Sequence, residues 1–309
     1  MITEYVVPTT RSLPHEIVAG PDQNLWFTEY GGNSVAKLTT SGVFTEYPVP
    51  TATSGPTAIT AGPDGNLWLT ERAANKVAKV TTTGVFTEYS IPTADSLPQD
   101  IALGGDMNLW FTEYGANKVA KVTTSGVFTE YPVPTPFSGP TSITAGPDGN
   151  IWFIERTANK VTKLTTSGVF TEHAAPCCQL FRVSEQETGL EAGIAAGPDG
   201  NLWFTEPGAN GALGQVGKVT TSGVFSEYGI PSRGSFPRGI AVGSDGKLWF
   251  TEPGEQTNRI ASVTISGASA DYAIPTSGSV PHGIALGPDG NIWFTERSAN
   301  KVAKIVVTS

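Results

Sequence analysis

Hydrophobic and polar positions alternate along short segments of the chain, and glycine-containing turns separate these segments. Residues 108–113, Asn-Leu-Trp-Phe-Thr-Glu, show the pattern, and residues 118–122 and 127–131 continue it after short polar turns. Alternation of this kind, rich in β-branched and aromatic residues between Asp-Gly or Ser-Gly turns, predicts strands joined by hairpins. No segment has the period of an amphipathic helix. The sequence therefore predicts an all-β protein.

One phrase returns seven times along the chain. Each copy is close to the turn Gly-Pro-Asp-Gly-Asn followed by Leu/Ile-Trp-Phe-Thr-Glu. The tryptophans of successive copies are 42, 42, 42, 51, 46 and 44 residues apart, a period that is typical of repeat architectures. The tryptophans are Trp26, Trp68, Trp110, Trp152, Trp203, Trp249 and Trp293. One tryptophan at the same register of every repeat indicates packing between sheets.

Four short strands per repeat and seven repeats predict a seven-bladed β-propeller with four-stranded antiparallel blades. A strand close to Phe-Thr-Glu-Tyr ends most repeats, but the last repeat has only three strands before Ser309. A strand of the missing type is present in residues 2–8. We therefore expect the N-terminal strand to complete the last blade and close the ring, so that residues 1–309 form a single propeller domain.

Composition narrows the classes of function. The 309 residues include 28 acidic and 19 basic side chains, which gives a net charge of −9. This balance offers no electrostatic surface for nucleic acid or an anionic membrane, and no apolar run is long enough to predict a transmembrane helix. The first residues have no basic region before an apolar run, so they predict no signal peptide and leave the compartment open. We expect a monomer.

Insertions into the 42-residue repeat indicate which face of the propeller is functional. They occur only after an outer strand or after the second strand of a blade, and the longest is loop 174–192. In an up-and-down blade both connections lie on the same face. Loops that vary on a rigid scaffold often carry function, although insertions are tolerated at any exposed loop. The pattern favours this face as the binding face.

The residue that opens each inner strand is expected to point into the central channel at this face. Two of the three histidines of the chain, His15 and His282, occupy this ring, and closure of the propeller should bring them next to Arg238. Histidine is a natural proton acceptor near neutral pH, although a polar residue in a wet channel needs no chemical role. The seven ring positions are His15, Thr57, Gln99, Thr141, Ala192, Arg238 and His282.

A glutamate follows each tryptophan by three residues and ends the second strand on the same face. Carboxylates suit a hard cation such as Mg²⁺, but a residue that is repeated seven times is better explained by structure. We expect such a glutamate to accept backbone N–H groups or to pair with a lysine, as Glu113 with Lys118 or Lys121. Glu296 and Glu29 are stronger candidates for chemistry, because they flank His282 and His15, respectively.

The adjacent cysteines Cys177 and Cys178 lie in the longest insertion. They either form a vicinal disulfide or remain thiols, and metal binding needs more ligands than their neighbourhood offers. No Ser-His-Asp triad, phosphate-binding loop or zinc signature is recognisable.

The phrases Gly-Pro-Asp-Gly-Asn-Ile-Trp-Phe-Thr-Glu, Ala-Asn-Lys-Val-Ala-Lys and Phe-Thr-Glu-Tyr-Pro-Val-Pro resemble those of the virginiamycin B lyase (streptogramin lyase) family, over the whole chain. The resemblance implies a Mg²⁺-dependent lyase that opens a cyclic depsipeptide antibiotic by elimination rather than by hydrolysis. It implies His282 as the general base and Glu296 as a metal ligand. It places His15 and Arg238 at substrate-contacting positions, and Gln99 of the same ring is expected to bind the substrate with them.

Three positions depart from the family pattern. Val280 stands where the resemblance implies a second metal-binding glutamate, Arg238 where it implies a histidine, and His15 where it implies a tyrosine. Glu16 or Glu252 could supply the second carboxylate.

Three functions are compatible with the sequence. The first is a lyase, or a related metal-assisted enzyme, that acts on a small molecule or cyclic peptide at the face with His282. The second is a binding propeller without chemistry, in which His15, Arg238, His282 and loop 174–192 hold a ligand or a protein. The third is a lactone hydrolase of the gluconolactonase type, which places several carboxylate and asparagine ligands in the channel, where this ring lacks them.

Overall fold

The computed structural model describes residues 1–176, 192–207, 214–230, 235–254 and 258–307. These residues form 28 strands in seven four-stranded antiparallel sheets and contain no helix. The prediction of an all-β, seven-bladed propeller is confirmed. Within the described residues no helix is long and apolar enough to cross a membrane. Most of loop 174–192, including Cys177 and Cys178, lies outside the described residues.

The N-terminal strand completes the last blade, as the sequence predicts. Ile2–Val6 pairs in antiparallel register with Lys301–Ile305. Next to this pairing, the side-chain oxygen of Asn300 accepts hydrogen bonds from the backbone N–H and the hydroxyl of Ser12, at 2.7 and 2.9 Å. Because Ser12 belongs to the connection into the first blade, these bonds join the last blade to the first.

Each blade runs from an inner strand at the channel to an outer strand at the rim, and we number the blades along the chain. The N-terminal strand is β1 (Ile2–Val6). Blade 1 contains β2 (Pro14–Ala19), β3 (Leu25–Glu29), β4 (Ser34–Leu38) and β5 (Phe44–Pro48). Blade 2 contains β6 (Pro56–Ala61), β7 (Leu67–Glu71), β8 (Lys76–Val80) and β9 (Phe86–Ser90). Blade 3 contains β10 (Pro98–Leu103), β11 (Leu109–Glu113), β12 (Lys118–Val122) and β13 (Phe128–Pro132).

The remaining blades follow the same order. Blade 4 contains β14 (Pro140–Ala145), β15 (Ile151–Glu155), β16 (Lys160–Leu164) and β17 (Phe170–Ala174). Blade 5 contains β18 (Ile194–Ala196), β19 (Leu202–Glu206), β20 (Gln215–Val219) and β21 (Phe225–Gly229). Blade 6 contains β22 (Ile240–Val242), β23 (Leu248–Glu252), β24 (Arg259–Val263) and β25 (Ser269–Ala273). Blade 7 contains β26 (Pro281–Leu286), β27 (Ile292–Glu296), β28 (Lys301–Ile305) and β1.

The tryptophans pack neighbouring blades against each other, as predicted. Trp26 of blade 1 is fully buried against Ile59 and Leu67 of blade 2. Its indole N–H donates to Asp22 of the preceding turn at 2.9 Å, and its ring stacks on Tyr47 of the outer strand. The same Asp–Trp hydrogen bond is present in all seven blades. The repeated phrase is therefore explained by one turn that orients one large apolar side chain.

A belt of threonines joins the blades around the channel. The hydroxyl of Thr295 in blade 7 donates to the backbone carbonyl of His15 at 2.6 Å. The hydroxyl of Thr251 in blade 6 donates to the carbonyl of His282 at 2.9 Å. The neighbouring blade therefore fixes the backbone of both channel histidines. Equivalent bonds run from Thr28 to Thr57, Thr70 to Gln99, Thr112 to Thr141 and Thr205 to Arg238.

Blade 4 departs from this belt. Ile154 stands in place of the threonine and has no hydroxyl to donate. The hydroxyl of Ser142, in the inner strand of the same blade, donates to the carbonyl of Ala192 in blade 5 instead. The link between blades 4 and 5 is thus retained by a residue from a different strand.

Substitution Thr295→Val tests the belt, because it removes the hydroxyl and nearly keeps the side-chain volume. Thr295 is fully buried, and its oxygen also accepts the N–H of Gly283 at 2.9 Å, so two buried backbone groups lose this partner. We expect the free energy of unfolding, measured by chemical denaturation, to fall by about 2–4 kcal/mol. Thr45→Val, at an exposed position of β5, is the control. Equal effects of the two substitutions would contradict the role of the belt.

Each blade buries one glutamate at the end of its second strand, and we call these residues the inner glutamates. Neither carboxylate oxygen of Glu113 accepts a hydrogen bond of ordinary geometry. Lys118 instead lies 2.8 Å from Glu130, and Lys121 lies 3.6 Å from Asp106. The predicted pairing of Glu113 with a lysine is wrong, because the lysines bind acids that keep more of their hydration. The inner glutamates are Glu29, Glu71, Glu113, Glu155, Glu206, Glu252 and Glu296.

Burial raises the pKa of every inner glutamate, and a second acid from the outer strand of the same blade raises it further. A carboxyl group with a raised pKa keeps its proton and stays neutral, so it can be buried without a cation beside it. The inner glutamates therefore do not need a lysine as an ion-pair partner. The pKa is about 8 for Glu29, Glu113 and Glu206 and about 7 for Glu71, Glu252 and Glu296.

Candidate functional site

A cavity opens in the channel at the face where the inner strands begin. It has a volume of about 340 Å³, part of which is open to solvent. All seven blades contribute to its wall, so it lies at the centre of the ring. Five of the seven predicted ring residues line the cavity. In blades 2 and 4 the cavity is lined instead by the residue after the predicted one, Ala58 and Ser142. The lining residues are His15, Glu16, Ala58, Gln99, Asp100, Ser142, Ala192, Gly193, Arg238, Gly239 and His282.

The ring residues do not all lie in strands. The ring residue was predicted to open each inner strand, but in five blades it is the second residue of that strand and follows a proline. In blades 5 and 6 the inner strand begins two residues after Ala192 and Arg238, at Ile194 and Ile240. These two ring residues therefore belong to the connection that enters the blade.

His15 and His282 lie in irregular positions of their strands. The pairing register shifts between Pro14 and Ile17 in blade 1, and an equivalent shift follows Pro281 in blade 7. Such bulges locally bend a strand and redirect its side chains, and they are frequent next to active sites. The same shift occurs in blades 2, 3 and 4, so the bulge is shared by the blades whose inner strand begins with proline.

The two histidines meet because blade 7 approaches blade 1 closely. A side chain at Gly283 would place its Cβ 2.5 Å from the carbonyl oxygen of His15, so only glycine permits this approach. The imidazole rings of His15 and His282 are 3.9 Å apart between centroids and inclined by 41°. Arg238 of blade 6 lines the same cavity. The structure thus brings together the three residues that the sequence places in neighbouring blades.

Three side chains of this cavity, His15, Glu16 and His282, form a compact group that we call the channel triad. Nδ1 of His15 lies 3.2 Å from the carbonyl oxygen of Thr57. Because a carbonyl only accepts, Nδ1 carries the proton and Nε2 keeps its lone pair. Nδ1 of His282 lies 3.5 Å from a carboxylate oxygen of Glu16, and neither ring nitrogen of His282 makes a hydrogen bond of ordinary geometry. A buried imidazole in this state is suited to a ligand or a reacting group.

Burial is the largest cause that lowers the pKa of both histidines well below 6.5. For His15 the neighbouring His282 is the next cause, and the positive charges of Arg238 and Arg297 lower both values further. Burial in the channel raises the pKa of Glu16 to about 7, although 31% of its side chain remains exposed. At neutral pH the triad therefore holds two neutral imidazoles and a carboxyl group near its midpoint of titration.

Gln99 and Asp100 line the blade 3 side of the cavity. Nε of Arg72 donates to the side-chain oxygen of Gln99 at 3.0 Å, which fixes the amide in one orientation. The carboxylate of Asp100 accepts the N–H of Ile101 at 2.8 Å and the N–H of Ile143 at 2.9 Å. Gln99 is therefore placed in the cavity with the other predicted binding residues, whereas Asp100 serves to join blades 3 and 4.

Glu296 is not part of the channel triad. Within the described residues, the group of histidine and acidic side chains whose ligand atoms lie within 4.8 Å of one another consists of His15, Glu16 and His282 and does not include Glu296. The charged neighbours of Glu296 are Glu4, which raises its pKa, and Lys301, which lowers it. Val280 contributes no side-chain oxygen at the position of the second implied ligand. The histidines that the sequence predicts therefore share one cavity, whereas Glu296 lies apart from their group of ligand atoms.

Arg297 is a residue of the site that the sequence analysis missed. It follows Glu296 directly, and its positive charge lowers the pKa of both channel histidines. A signal for it exists, because arginine follows the inner glutamate in only three blades, at Arg72, Arg156 and Arg297. Of these, Arg72 also reaches a residue of the cavity wall.

Comparison with known proteins shows which families and solved structures this chain is similar to. The sequence profile of the virginiamycin B lyase family matches residues 1–183 and 177–309. Among solved structures, a streptogramin B lyase is 33% identical, with a TM-score of 0.90, over 100% of this chain and 98% of that chain.

Two structures of virginiamycin B lyase from Staphylococcus aureus are similarly close. The selenomethionine-substituted enzyme is 33% identical, with a TM-score of 0.90, over 100% of this chain and 99% of that one. A catalytically inactive histidine-to-alanine variant with quinupristin is 31% identical, with the same TM-score and coverage. This chain is thus similar over its whole length to lyases of known structure.

Proposed function

The chain belongs to the virginiamycin B lyase family, and from this premise we propose that it is a lyase that opens a cyclic depsipeptide lactone by elimination, with His282 as the base. The observation that carries the proposal is the state of His282. Its imidazole is 2% exposed, makes no hydrogen bond of ordinary geometry and faces a cavity. The relative that is inactive after a histidine-to-alanine substitution supports a histidine as an essential group in this fold.

The reaction requires a base that is neutral at the pH of use. A lowered pKa keeps the imidazole of His282 unprotonated at neutral pH, and the nearby carboxylate of Glu16 can orient its Nδ1. The base then removes a proton from a carbon next to a carbonyl group. The electron pair of that C–H bond forms a carbon–carbon double bond, the C–O bond of the lactone breaks, and its ester oxygen leaves as part of a carboxylate. The product is a linear isomer of the substrate.

Negative charge develops on the substrate during this step, and the site contains positive charge to balance it. Arg238 lines the cavity, and its guanidinium already acts on His282, as does that of Arg297. A fixed cation in a partly dry site stabilises a developing anion more strongly than water-exposed charge does. We assign substrate contacts to Arg238, His15 and Gln99, which line the same cavity.

Magnesium is the cofactor that the family resemblance implies, with Glu296 as its ligand. Mg²⁺ requires near-octahedral coordination by oxygen, usually from one or two carboxylates and several waters. Glu296 offers a buried carboxyl group, but Ser279 and Glu4 are already its hydrogen-bonding neighbours, Lys301 is next to it and Val280 adds no oxygen. The residues present do not by themselves fit a magnesium site, so the proposed elimination rests on the side chains of the protein alone.

Mass spectrometry of a type B streptogramin incubated with the protein tests the proposed function. Elimination leaves the mass unchanged and alters retention and fragmentation, whereas hydrolysis adds one water. We expect the isomer both with Mg²⁺ and in a parallel incubation with EDTA, because the proposed step uses only side chains of the protein, whereas loss of the isomer in EDTA would establish a metal requirement. A hydrolysed product would replace the lyase with a lactone hydrolase. Substrate that stays intact but is bound would favour the binding propeller, with the same cavity as its ligand site.

A further inference from the structure

We propose that the channel triad, His15, Glu16 and His282, binds a first-row divalent transition-metal ion such as Zn²⁺. This site is separate from Glu296, the magnesium ligand that the family resemblance implies. The binding itself does not depend on the proposed lyase function, because it follows from the geometry of three side chains.

The first argument is the distance between the ligand atoms. One nitrogen from each histidine and one oxygen of Glu16 all lie within 4.8 Å of one another. Ligands bonded at 2.0–2.2 Å to a tetrahedral ion are roughly 3.4 Å apart, so small side-chain rotations are sufficient to close the site. The adjoining cavity leaves room for water as a further ligand. Three protein ligands and an open position are typical of zinc sites that react with or bind small molecules.

The second argument is that the histidines are already prepared as ligands. The bond from Nδ1 of His15 to the carbonyl of Thr57 leaves Nε2 as the available lone pair. This arrangement, a backbone carbonyl behind a ligating imidazole, is a common outer-shell feature of metal sites. Thr295 and Thr251 fix the backbone of His15 and His282, respectively.

The third argument concerns the kind of ion. Two imidazoles and one carboxylate suit Zn²⁺, Co²⁺, Fe²⁺ or Ni²⁺, whereas Mg²⁺ prefers an all-oxygen shell that retains water. Arg238 and Arg297 oppose any cation here, and the carboxylate of Glu16 offsets only part of their charge. Direct bonds to imidazole can overcome this repulsion, whereas a hydrated ion held mainly by charge cannot. The triad therefore selects transition metals over magnesium.

Metal binding has a consequence for the lyase, and this consequence does rest on the proposed function. An ion bound to His282 occupies the lone pair that the elimination requires. Zn²⁺ at the channel triad and catalysis by His282 therefore exclude each other.

Titration of the metal-free protein with Co²⁺ and Zn²⁺ tests the proposal without any assay of activity. We expect one equivalent of Co²⁺ to give visible absorption bands of a low-symmetry nitrogen and oxygen site, and one equivalent of Zn²⁺ to abolish them. Mg²⁺ in large excess should leave the bands unchanged. His15→Gln and Glu16→Gln each remove one ligand and should weaken binding by at least about tenfold, the lower bound for loss of an outer-shell partner.

Two controls separate the triad from other ligands. His173→Tyr removes the third histidine and inserts the residue that stacks on tryptophan in the other blades, so binding should not change. Replacement of Cys177 and Cys178 by serine should also leave the bands intact, because no thiolate takes part. Thermal denaturation confirms that each variant is folded. The proposal is wrong if no ion binds, or if binding is lost with the cysteines and kept in both His15→Gln and Glu16→Gln.

Discussion

Substitution His282→Gln is expected to reduce the rate of lactone opening by about 100- to 10,000-fold, which is the range for loss of a positioned general base. Glutamine fills a similar volume but accepts no proton at neutral pH. The measurement is the single-turnover rate of isomer formation at saturating substrate, followed by mass spectrometry. Single-turnover conditions are required because they report the chemical step rather than release of the product.

His173→Tyr is the matched control for this experiment. His173 stacks on Trp152, in the position that tyrosine occupies in the other blades, and does not line the cavity. The control should retain the full rate, and both variants should unfold at similar temperatures. A His282→Gln protein that keeps more than about a tenth of the rate would remove His282 as the base, because smaller losses are common for residues that only position a substrate.

The fold was predictable because each repeat contains the same local sequence features. These features are the turn, the tryptophan that donates a hydrogen bond to the aspartate of that turn, and the alternating strands. Seven copies of a four-stranded antiparallel unit predict a seven-bladed propeller. Closure was predictable from the same repetition, since β1 carries the missing outer strand of blade 7. Ring closure also placed His282 beside His15, although 267 residues separate them in the chain.

The chemistry of the site was less predictable, because it depends on side-chain direction and burial. From the sequence, Glu16 is only one of two candidates for a second carboxylate, and its position 3.5 Å from Nδ1 of His282 depends on side-chain directions where blades 7 and 1 meet. Glu113 was expected to accept backbone N–H groups or to pair with Lys121 or with Lys118, and Lys118 lies opposite it in the register. The lysine bonds to Glu130 instead, because a carboxyl that is fully buried is more stable with its proton than with a desolvated ion pair. The strand register predicts which side chains are close to one another. Which acid the lysine pairs with depends on the cost of removing water from each carboxylate.

The inner glutamates lead to an expected pH dependence of stability that is opposite to that of most proteins. A carboxyl whose pKa is higher in the folded state than in the unfolded state binds more protons when folded. Its contribution is present below the unfolded pKa of about 4.5 and is lost as the pH rises through the folded pKa, which is about 8 for Glu29, Glu113 and Glu206. We therefore expect the melting temperature to fall between pH 6.5 and pH 9.

The other titratable groups with shifted pKa values do not reverse the expected fall in melting temperature between pH 6.5 and pH 9. The carboxyls with lowered pKa values, such as Glu4, Glu88 and Glu130, lose their contribution only when the pH falls toward 4. The two channel histidines, with pKa values below 6.5, destabilise the fold only on the acid side. Thermal denaturation across pH 6.5–9 measures the slope, and a melting temperature that rises with pH would contradict the expectation.

Blade 1 allows the cause to be tested at one residue. Its inner glutamate, Glu29, has Glu46 as its neighbour, but Ser34 stands where blades 2, 3, 4 and 7 have a lysine. Glu29→Gln should leave stability nearly unchanged at pH 5 and raise it at pH 9, because the amide never has to ionise. Each unit by which the pKa is raised corresponds to about 1.4 kcal/mol, so the gain at pH 9 should exceed about 1 kcal/mol.

Ser34→Lys should act in the same direction without removing the acid. In blade 2 the equivalent Lys76 lies 2.7 Å from the outer glutamate, and the same reach in blade 1 would bring a cation to the pair of Glu29 and Glu46. The expected gain is again about 1 kcal/mol at pH 9, the size of one hydrogen bond to a charged group, and it should be smaller at pH 5. Val43→Lys adds the same charge at an exposed position and should have little effect. Equal effects of the two lysines would mean that net charge, rather than the buried carboxyl pair, sets the pH dependence of stability.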